Sequence, residues 1–330
     1  MDLYDRLRQF EIFEHFSDSQ IDHLAGCASR LRLPTGAKVI EEGDASRDMY
    51  LVDEGTLDIQ RDTPYGSYAL ARLGPGALLG ETSFVDGAPR SGEAVLTQDS
   101  ILVTLHQNVL AEKMEADQKF SLAIHWSLWK SLSMKLRKTN ETLAHFFSKA
   151  KAPPSEEEPL PANPEDVHVG VGAKRELFQE QKLSPMEINF LATLSKEKRV
   201  APGDHIFHQG DVGNEMYIVL EGRVMISRMV VGSGEEALAF LDRGDYFGEM
   251  ALIDQEPRSA DAKAHDTGAV VLSISREVME GLLDPNKVSS LRLLTILCNL
   301  VSKRLREIDN KLVSWYIFNA SSGDSLEIPV

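Results

Sequence analysis

The chain is written twice. When Leu33 to Ile59 (LPTGAKVIEEGDASRDMYLVDEGTLDI) is set above Val200 to Ile226 (VAPGDHIFHQGDVGNEMYIVLEGRVMI), Gly36 falls on Gly203, Gly43 on Gly210, Asp44 on Asp211, Met49 on Met216, Tyr50 on Tyr217 and Gly55 on Gly222, each pair 167 apart. Ser17 with Ser184 and Leu24 with Leu191 keep that offset upstream. Past one hairpin the offset becomes 168, so a residue has been inserted near Gly232 to Glu236 relative to Tyr65 to Ser67. Such a repeat fixes the architecture before any motif is read. The 330 residues suit two domains of ordinary size, each able to bury its own core.

Within each copy, short runs alternate apolar and polar residues, as at Met49 and Leu51 or Leu57 and Ile59, with glycine every several residues. That is strand and turn chemistry. No long helical crossover separates the strands, which argues for antiparallel pairing rather than a doubly wound sheet. The expected fold is mainly β with flanking helices: two antiparallel β jelly-roll domains, each with a short N-terminal and a long C-terminal helix. Ser17 is placed to cap a helix beginning near Asp18, and Ser184 followed by Pro185 to do the same in the second copy. Between the copies, Pro153, Pro154, Pro159, Pro161 and Pro164 surround the acidic run Glu156 to Glu158, the composition of an extended linker. The expected boundaries are a first domain over 1–148, a linker over 149–172 and a second domain over 173–330.

Composition narrows the function classes. A formal charge of −16 opposes non-specific nucleic-acid binding, and no room is seen for a helix-turn-helix module, so no DNA partner is expected. Every long apolar stretch is broken by charge; Val288 to Leu305 carries Arg292, Lys303 and Arg304, and the start (Asp2, Asp5, Glu11) lacks a signal pattern. No membrane span and a cytoplasmic location are therefore expected. Cys27 and Cys298 lie in periodic apolar segments without metal or redox spacing and read as core residues.

The chemistry concentrates in one cassette, present in both copies. LGETSFVDGAPRSGEA places the pair Gly80 and Glu81 ten residues ahead of the pair Arg90 and Ser91, and FGEMALIDQEPRSADA places Gly248 and Glu249 ten ahead of Arg258 and Ser259. Glycine lets the backbone pass close to a ligand, and the helical turn after it presents unpaired N–H groups to an anion. Arginine adds a cationic fork that suits phosphate oxygens better than an ammonium does. A carboxylate would repel the same phosphate, so Glu81 and Glu249 make sense facing another part of the ligand, a ribose hydroxyl. The bland reading of the cassette is an Arg–Glu ion pair that stabilises a turn.

At these residues the chain resembles the cyclic-nucleotide-binding domain superfamily, which includes catabolite activators, kinase regulatory subunits and nucleotide-gated channels. The resemblance covers roughly 10–147 and 176–313. It implies that Glu81 and Glu249 hold the ribose 2′-OH, that Arg90 and Arg258 hold the cyclic phosphate, and that Ser91 and Ser259 lie beside phosphate or base. The cradles would be completed by Gly80, Thr82, Ser83 and Pro89 in the first copy and by Phe247, Gly248, Met250, Ala251 and Pro257 in the second. In the first copy Leu79 stands for Phe247, Thr82 and Ser83 stand for Met250 and Ala251, and Glu93 adds charge; Asp261 is the corresponding oddity in the second. The ligand implied is cAMP, with cGMP open because Ser91 and Ser259 are ambiguous between them.

Other constellations are thinner. His205 and His208 flank Phe207, but a metal would need further ligands from neighbouring strands, so none is expected. No nucleophile elbow, Walker loop or paired-carboxylate motif is present, and no enzyme activity is expected. The kinase-regulator devices, an Arg-Arg pseudosubstrate and an N-terminal docking segment, are also not seen. The expected role is a sensor or adaptor read by an unidentified effector protein. The alternatives are an interaction protein with vestigial pockets and, more remotely, a barrel enzyme of cupin type.

Two helices complete the reading. Leu291, Leu294, Cys298, Val301, Leu305, Ile308, Leu312 and Trp315 alternate by three and four, a heptad seam that fits either the helix's own barrel or a homodimer. Near its distal end Trp315 and Tyr316 offer flat aromatic surface where family members place a residue that stacks on the base, so they are expected as a lid on the second cradle. A rougher seam runs through Leu122, Trp126, Trp129, Leu136, Leu143 and Phe147.

Overall fold

The computed structural model describes residues 2–148, 164–181, 183, 185–230, 234–284 and 287–321. The first pass of the repeat gives α1 (Leu3–Leu7), α2 (Asp18–Gly26), β1 (Ala28–Leu33), β2 (Lys38–Ile40), β3 (Met49–Glu54), β4 (Leu57–Thr63), β5 (Gly66–Leu73), β6 (Leu78–Leu79), α3 (Glu81–Asp86), β7 (Glu93–Leu96), β8 (Ser100–Leu105), α4 (Gln107–Ala116) and α5 (Gln118–Ser148). The second gives β9 (Glu165–Asp166), α6 (Val171–Glu180), α7 (Pro185–Leu194), β10 (Lys196–Val200), β11 (His205–Phe207), β12 (Glu215–Val230), β13 (Gly234–Leu241), β14 (Tyr246–Phe247), α8 (Met250–Asp254), β15 (Asp261–Ser275), α9 (Arg276–Leu282) and α10 (Leu291–Ser321).

These elements pack into two compact units, one of Met1–Lys135 with Pro285–Val330 and the other of Leu136–Asp284. In the first, two antiparallel sheets run β1-β8-β3-β6 and β2-β7-β4-β5. The period-2 pattern read from the sequence turns Val52, Leu57, Leu79, Ala94, Leu96 and Leu102 into one buried cluster between them. Leu102 is fully buried there, and replacing it with alanine would cost about 2–5 kcal/mol. The second unit carries one antiparallel sheet, β13-β12-β15-β10-β9, with β11 paired to β15 and β14 to β12. Phe207, Tyr217, Val219, Phe247, Ala262 and Val271 lie in its core. Ser17 caps α2 as expected: its side chain accepts from Gln20 N–H while the Gln20 side chain accepts from the Ser17 N–H. Ser184 and the insertion at Gly232 lie outside the described residues.

Three expectations change. The division into 1–148, 149–172 and 173–330 follows the repeat but not the packing, because α10 belongs with the first barrel. The heptad seam of α10 is already covered within the chain: Leu294, Cys298, Val301, Leu305, Ile308 and Leu312 are all buried, and the helix lies along α3, β4 and β5. A seam consumed in this way is not available for a homodimer. Of the expected linker, 149–163 lies outside the described residues, while Glu165–Asp166 pairs with Lys198 and Arg199 as a strand and a helix starts at Val171. Among the described residues no helix is long and apolar enough to cross a membrane.

Candidate functional site

In the second unit, β14 ends at Phe247 and Gly248 turns the chain into α8 with φ of 76°. A β-carbon at Gly248 would stand 2.7 Å from Arg258 Nη1, so the residue that permits the turn also permits the arginine beneath it. Arg258 is 6% exposed. It donates from Nη1 to Gly248 O and from Nη2 to Glu215 O, both at 2.6 Å, and its guanidinium lies 4.2 Å from the Phe207 ring centroid. Its buried Nε–H has no hydrogen-bond partner among the described residues. Burial lowers the Arg258 pKa, with Tyr217, Glu249, Glu215 and Asp211 opposing. Glu249 is 1% exposed, Met250 and Ala251 are buried, and the Ser259 hydroxyl faces Met250 Sδ at 3.9 Å. Pro257 sits exposed before the arginine.

The first cassette repeats this frame with its orphans moved. Gly80 turns with φ of 83° into α3, and Arg90 donates to Gly80 O at 3.0 Å and Asp48 O at 2.6 Å. Here Arg90 Nε also finds Ser46 Oγ at 3.3 Å. Ser46 corresponds to Gly213 of the second copy, where no side chain can accept and a β-carbon would meet Ala251 Cβ at 2.5 Å. Glu81 is completely buried; Lys135 Nζ of α5 holds its Oε1 at 2.5 Å, and Oε2 has no partner among the described residues. Lys135 donates as well to Leu78 O at 2.7 Å. Glu93 does not stand free near the cradle, because Lys38 pairs with it at 2.7 Å and Gln60 donates to it at 3.3 Å. Thr82 and Ser91 are half-buried, Ser83 is buried and Pro89 is exposed.

Each cassette is gripped by an arginine that the motif did not include. Arg306 of α10 donates to both Asp86 oxygens, Nε at 2.5 Å and Nη2 at 3.0 Å, to Ser83 Oγ at 3.2 Å and to Pro89 O at 2.9 Å. Ser302 adds donations to Thr82 O and Asp86. In the other unit Arg137 of α5 donates to Pro257 O, the counterpart of Pro89, at 2.9 Å. A second pair matches: Arg61 Nη1 donates to Asn310 Oδ1 and Arg228 Nη1 to Asn140 O, each at 2.8 Å, while Arg61 holds Glu42 and Arg228 holds Gln209. Thus the long helix of each copy ends on the cassette of the other. The signal was present in the sequence as Lys135-Leu136-Arg137 against Arg304-Leu305-Arg306, an offset of 169.

A profile of the cyclic nucleotide-binding domain matches residues 30–117 and 197–286, together more than half of the chain. The chain belongs to the cyclic nucleotide-binding domain family. It is similar to the cAMP-dependent protein kinase regulatory subunit of Mucor circinelloides f. lusitanicus, 25% identical over 254 residues, 77% of this chain and 48% of that protein. It is similar to the cGMP-dependent protein kinase egl-4 of Caenorhabditis elegans, 23% identical over 274 residues, 83% of this chain and 29% of that protein. The chain therefore spans half or less of these relatives. Among solved structures, the regulatory domain of Toxoplasma gondii PKA with cAMP is 19% identical over 96% of both chains, with a TM-score of 0.32.

The aromatic lid expected over the second cyclic nucleotide-binding domain lies with the first. Tyr316 stacks on Tyr68 of β5, centroids 4.5 Å apart and planes at 27°, and Trp315 meets Phe318 edge-on at 5.8 Å. The reason is the covered seam: the apolar face that drives α10 onto β4 and β5 carries its distal aromatics there too. Burial pushes the Tyr68 hydroxyl up to about 12, so it stays protonated.

Proposed function

We propose that this protein is a non-enzymatic sensor of cyclic nucleotide, with cAMP the favoured ligand, and that Arg258 and Arg90 hold the cyclic phosphate. One observation carries the reading. A buried N–H without an acceptor costs about 1–3 kcal/mol, and Arg258 Nε is such a group, at the point where a phosphate oxygen would satisfy it. Glu81 Oε2 supplies the complementary orphan, a buried acceptor suited to a hydroxyl donor. Because Arg90 Nε is already spent on Ser46, the second cassette is the tighter of the two.

The response element is the strap across each cassette, α10 on the first and the distal part of α5 on the second. Arg306 places a positive charge at the edge of the first cradle, so an anionic ligand strengthens its hold. The kinship with cyclic-nucleotide-regulated kinases supports a protein kinase as the effector. Equilibrium binding of labelled cAMP and cGMP to the parent, Arg90→Ala and Arg258→Ala tests the reading: two saturable sites, one lost in each variant, are expected. No saturable binding of either nucleotide would favour vestigial pockets.

A further inference from the structure

We propose that His205, His208 and Asp261 form a binding site for one divalent cation of the zinc class beside the second cassette. The two histidines alone lack a third ligand, and the fold supplies it. Strand β11 pairs with β15 through a bulge, His205 opposite Lys263 and Phe207 opposite Ala262, which brings the start of β15 to the histidine pair. One nitrogen from each ring and one Asp261 oxygen all lie within 4.8 Å of one another. Two atoms each about 2.1 Å from one tetrahedral ion stand about 3.4 Å apart. His208 Nδ1 and Asp261 Oδ1 are already at 3.4 Å, so only His205 has to close in. Its ring lies 4.2 Å from that of His208, centroid to centroid.

The surroundings suit a cation. Gln209 N–H donates to Asp261 Oδ1 at 2.9 Å, the kind of outer contact that aims a ligating carboxylate. The nearby Lys263 is paired with Glu235, whose carboxylate also accepts from Ser227, and Arg228 is engaged by Asn140 and Gln209. All three ligands are half-buried, which leaves room for water in the fourth position. Two imidazoles and one carboxylate favour zinc, cobalt, nickel or copper over magnesium or calcium. The first copy has no such set: Lys38 and Glu93 stand where His205 and Asp261 do and form an ion pair instead. A bound ion would tie β15 to β11, which carries Phe207 beneath Arg258.

The test uses the full chain without nucleotide, so its result stands apart from the sensor reading. Zn²⁺ titrated in competition with a chromophoric chelator is expected to bind at one equivalent with a micromolar or tighter Kd. His208→Ala and Asp261→Asn are each expected to weaken it at least tenfold while the thermal transition without metal is retained. Should a variant fail to fold, Zn²⁺-induced amide shifts in the parent, concentrated at 205–209 and 261–263, give the same answer. No stoichiometric binding, binding unchanged in both variants, or shifts elsewhere would overturn the proposal.

Discussion

Arg306 reaches Asp86 with two guanidinium nitrogens, Nε to Oδ2 at 2.5 Å and Nη2 to Oδ1 at 3.0 Å, across 220 residues of chain. A fork of this kind cannot be reproduced by an ammonium. Arg306→Ala should cost about 1–3 kcal/mol in urea unfolding, and Arg306→Lys should recover less than half of that. Hydrogen exchange across 302–316 should rise in the alanine variant and fall when cAMP is added to the parent. Exchange indifferent to both would remove α10 from the response.

On the proposed phosphate assignment, Arg258→Ala removes a contact to a desolvated anion, and such truncations cost about 2–5 kcal/mol. Arg258→Ala should weaken cAMP at the second site at least about 30-fold, at roughly 1.4 kcal/mol per decade. Calorimetry in an Arg90→Ala background reads that site alone. An unchanged Kd there would sink the phosphate assignment.

The difference between the copies can be narrowed by one atom. Ser46→Ala removes the acceptor that occupies Arg90 Nε and leaves the first cassette with the same orphan as the second. A hydrogen bond of about 1 kcal/mol predicts roughly a fivefold gain in cAMP affinity at the first site, measured with Arg258→Ala as background. A loss of affinity would show that Ser46 orients the arginine rather than competing for it.

Lys135 is the charge partner of a fully buried carboxylate. Lys135→Ala leaves Glu81 unpaired and should destabilise the first unit by about 3–5 kcal/mol, whereas the double variant with Glu81→Gln should recover most of it. Chemical denaturation of the four-protein cycle measures the coupling.

Asp309 makes the first unit sensitive to pH. Burial of its carboxyl pushes it up to about 7, against the opposing effect of Lys135, Arg61 and Arg306, with Glu81 adding to the rise. The folded state thus favours the protonated acid: the contribution is complete below about pH 4 and is lost as pH climbs through 7. Asp309→Asn stays neutral throughout. Because the residue is only part-buried overall, the variant should gain about 1–2 kcal/mol on the parent between pH 5 and pH 8, read by urea unfolding at each pH. Parallel curves would place the carboxylate in water.

Much of this was legible in the sequence, and what was not has a physical reason. Glycine at a turn, alternation in a strand and a serine cap act over a few residues, so Gly80, Gly248, Ser17 and the strand pattern could be read locally. The destination of α10 could not. Its seam is equally apolar whichever barrel it faces, and only complementary partners decide: Asp86 for Arg306, Tyr68 for Tyr316. The third member of the histidine cluster was hidden in the same way, since Asp261 is far from His208 in sequence and adjacent only across the β11–β15 pair.

A unit assembled from both ends of a chain has a schedule on the ribosome. The first barrel emerges early, yet Arg306 and Tyr316 follow only after the whole of Leu136–Asp284 has been made. At about 5–20 residues per second that is a wait of roughly 10–30 s. For that interval the nascent barrel carries β4, β5 and α3 uncovered, an apolar flank open to chaperones, proteases and neighbouring chains, whereas the second unit has every residue it needs as soon as Asp284 has been made.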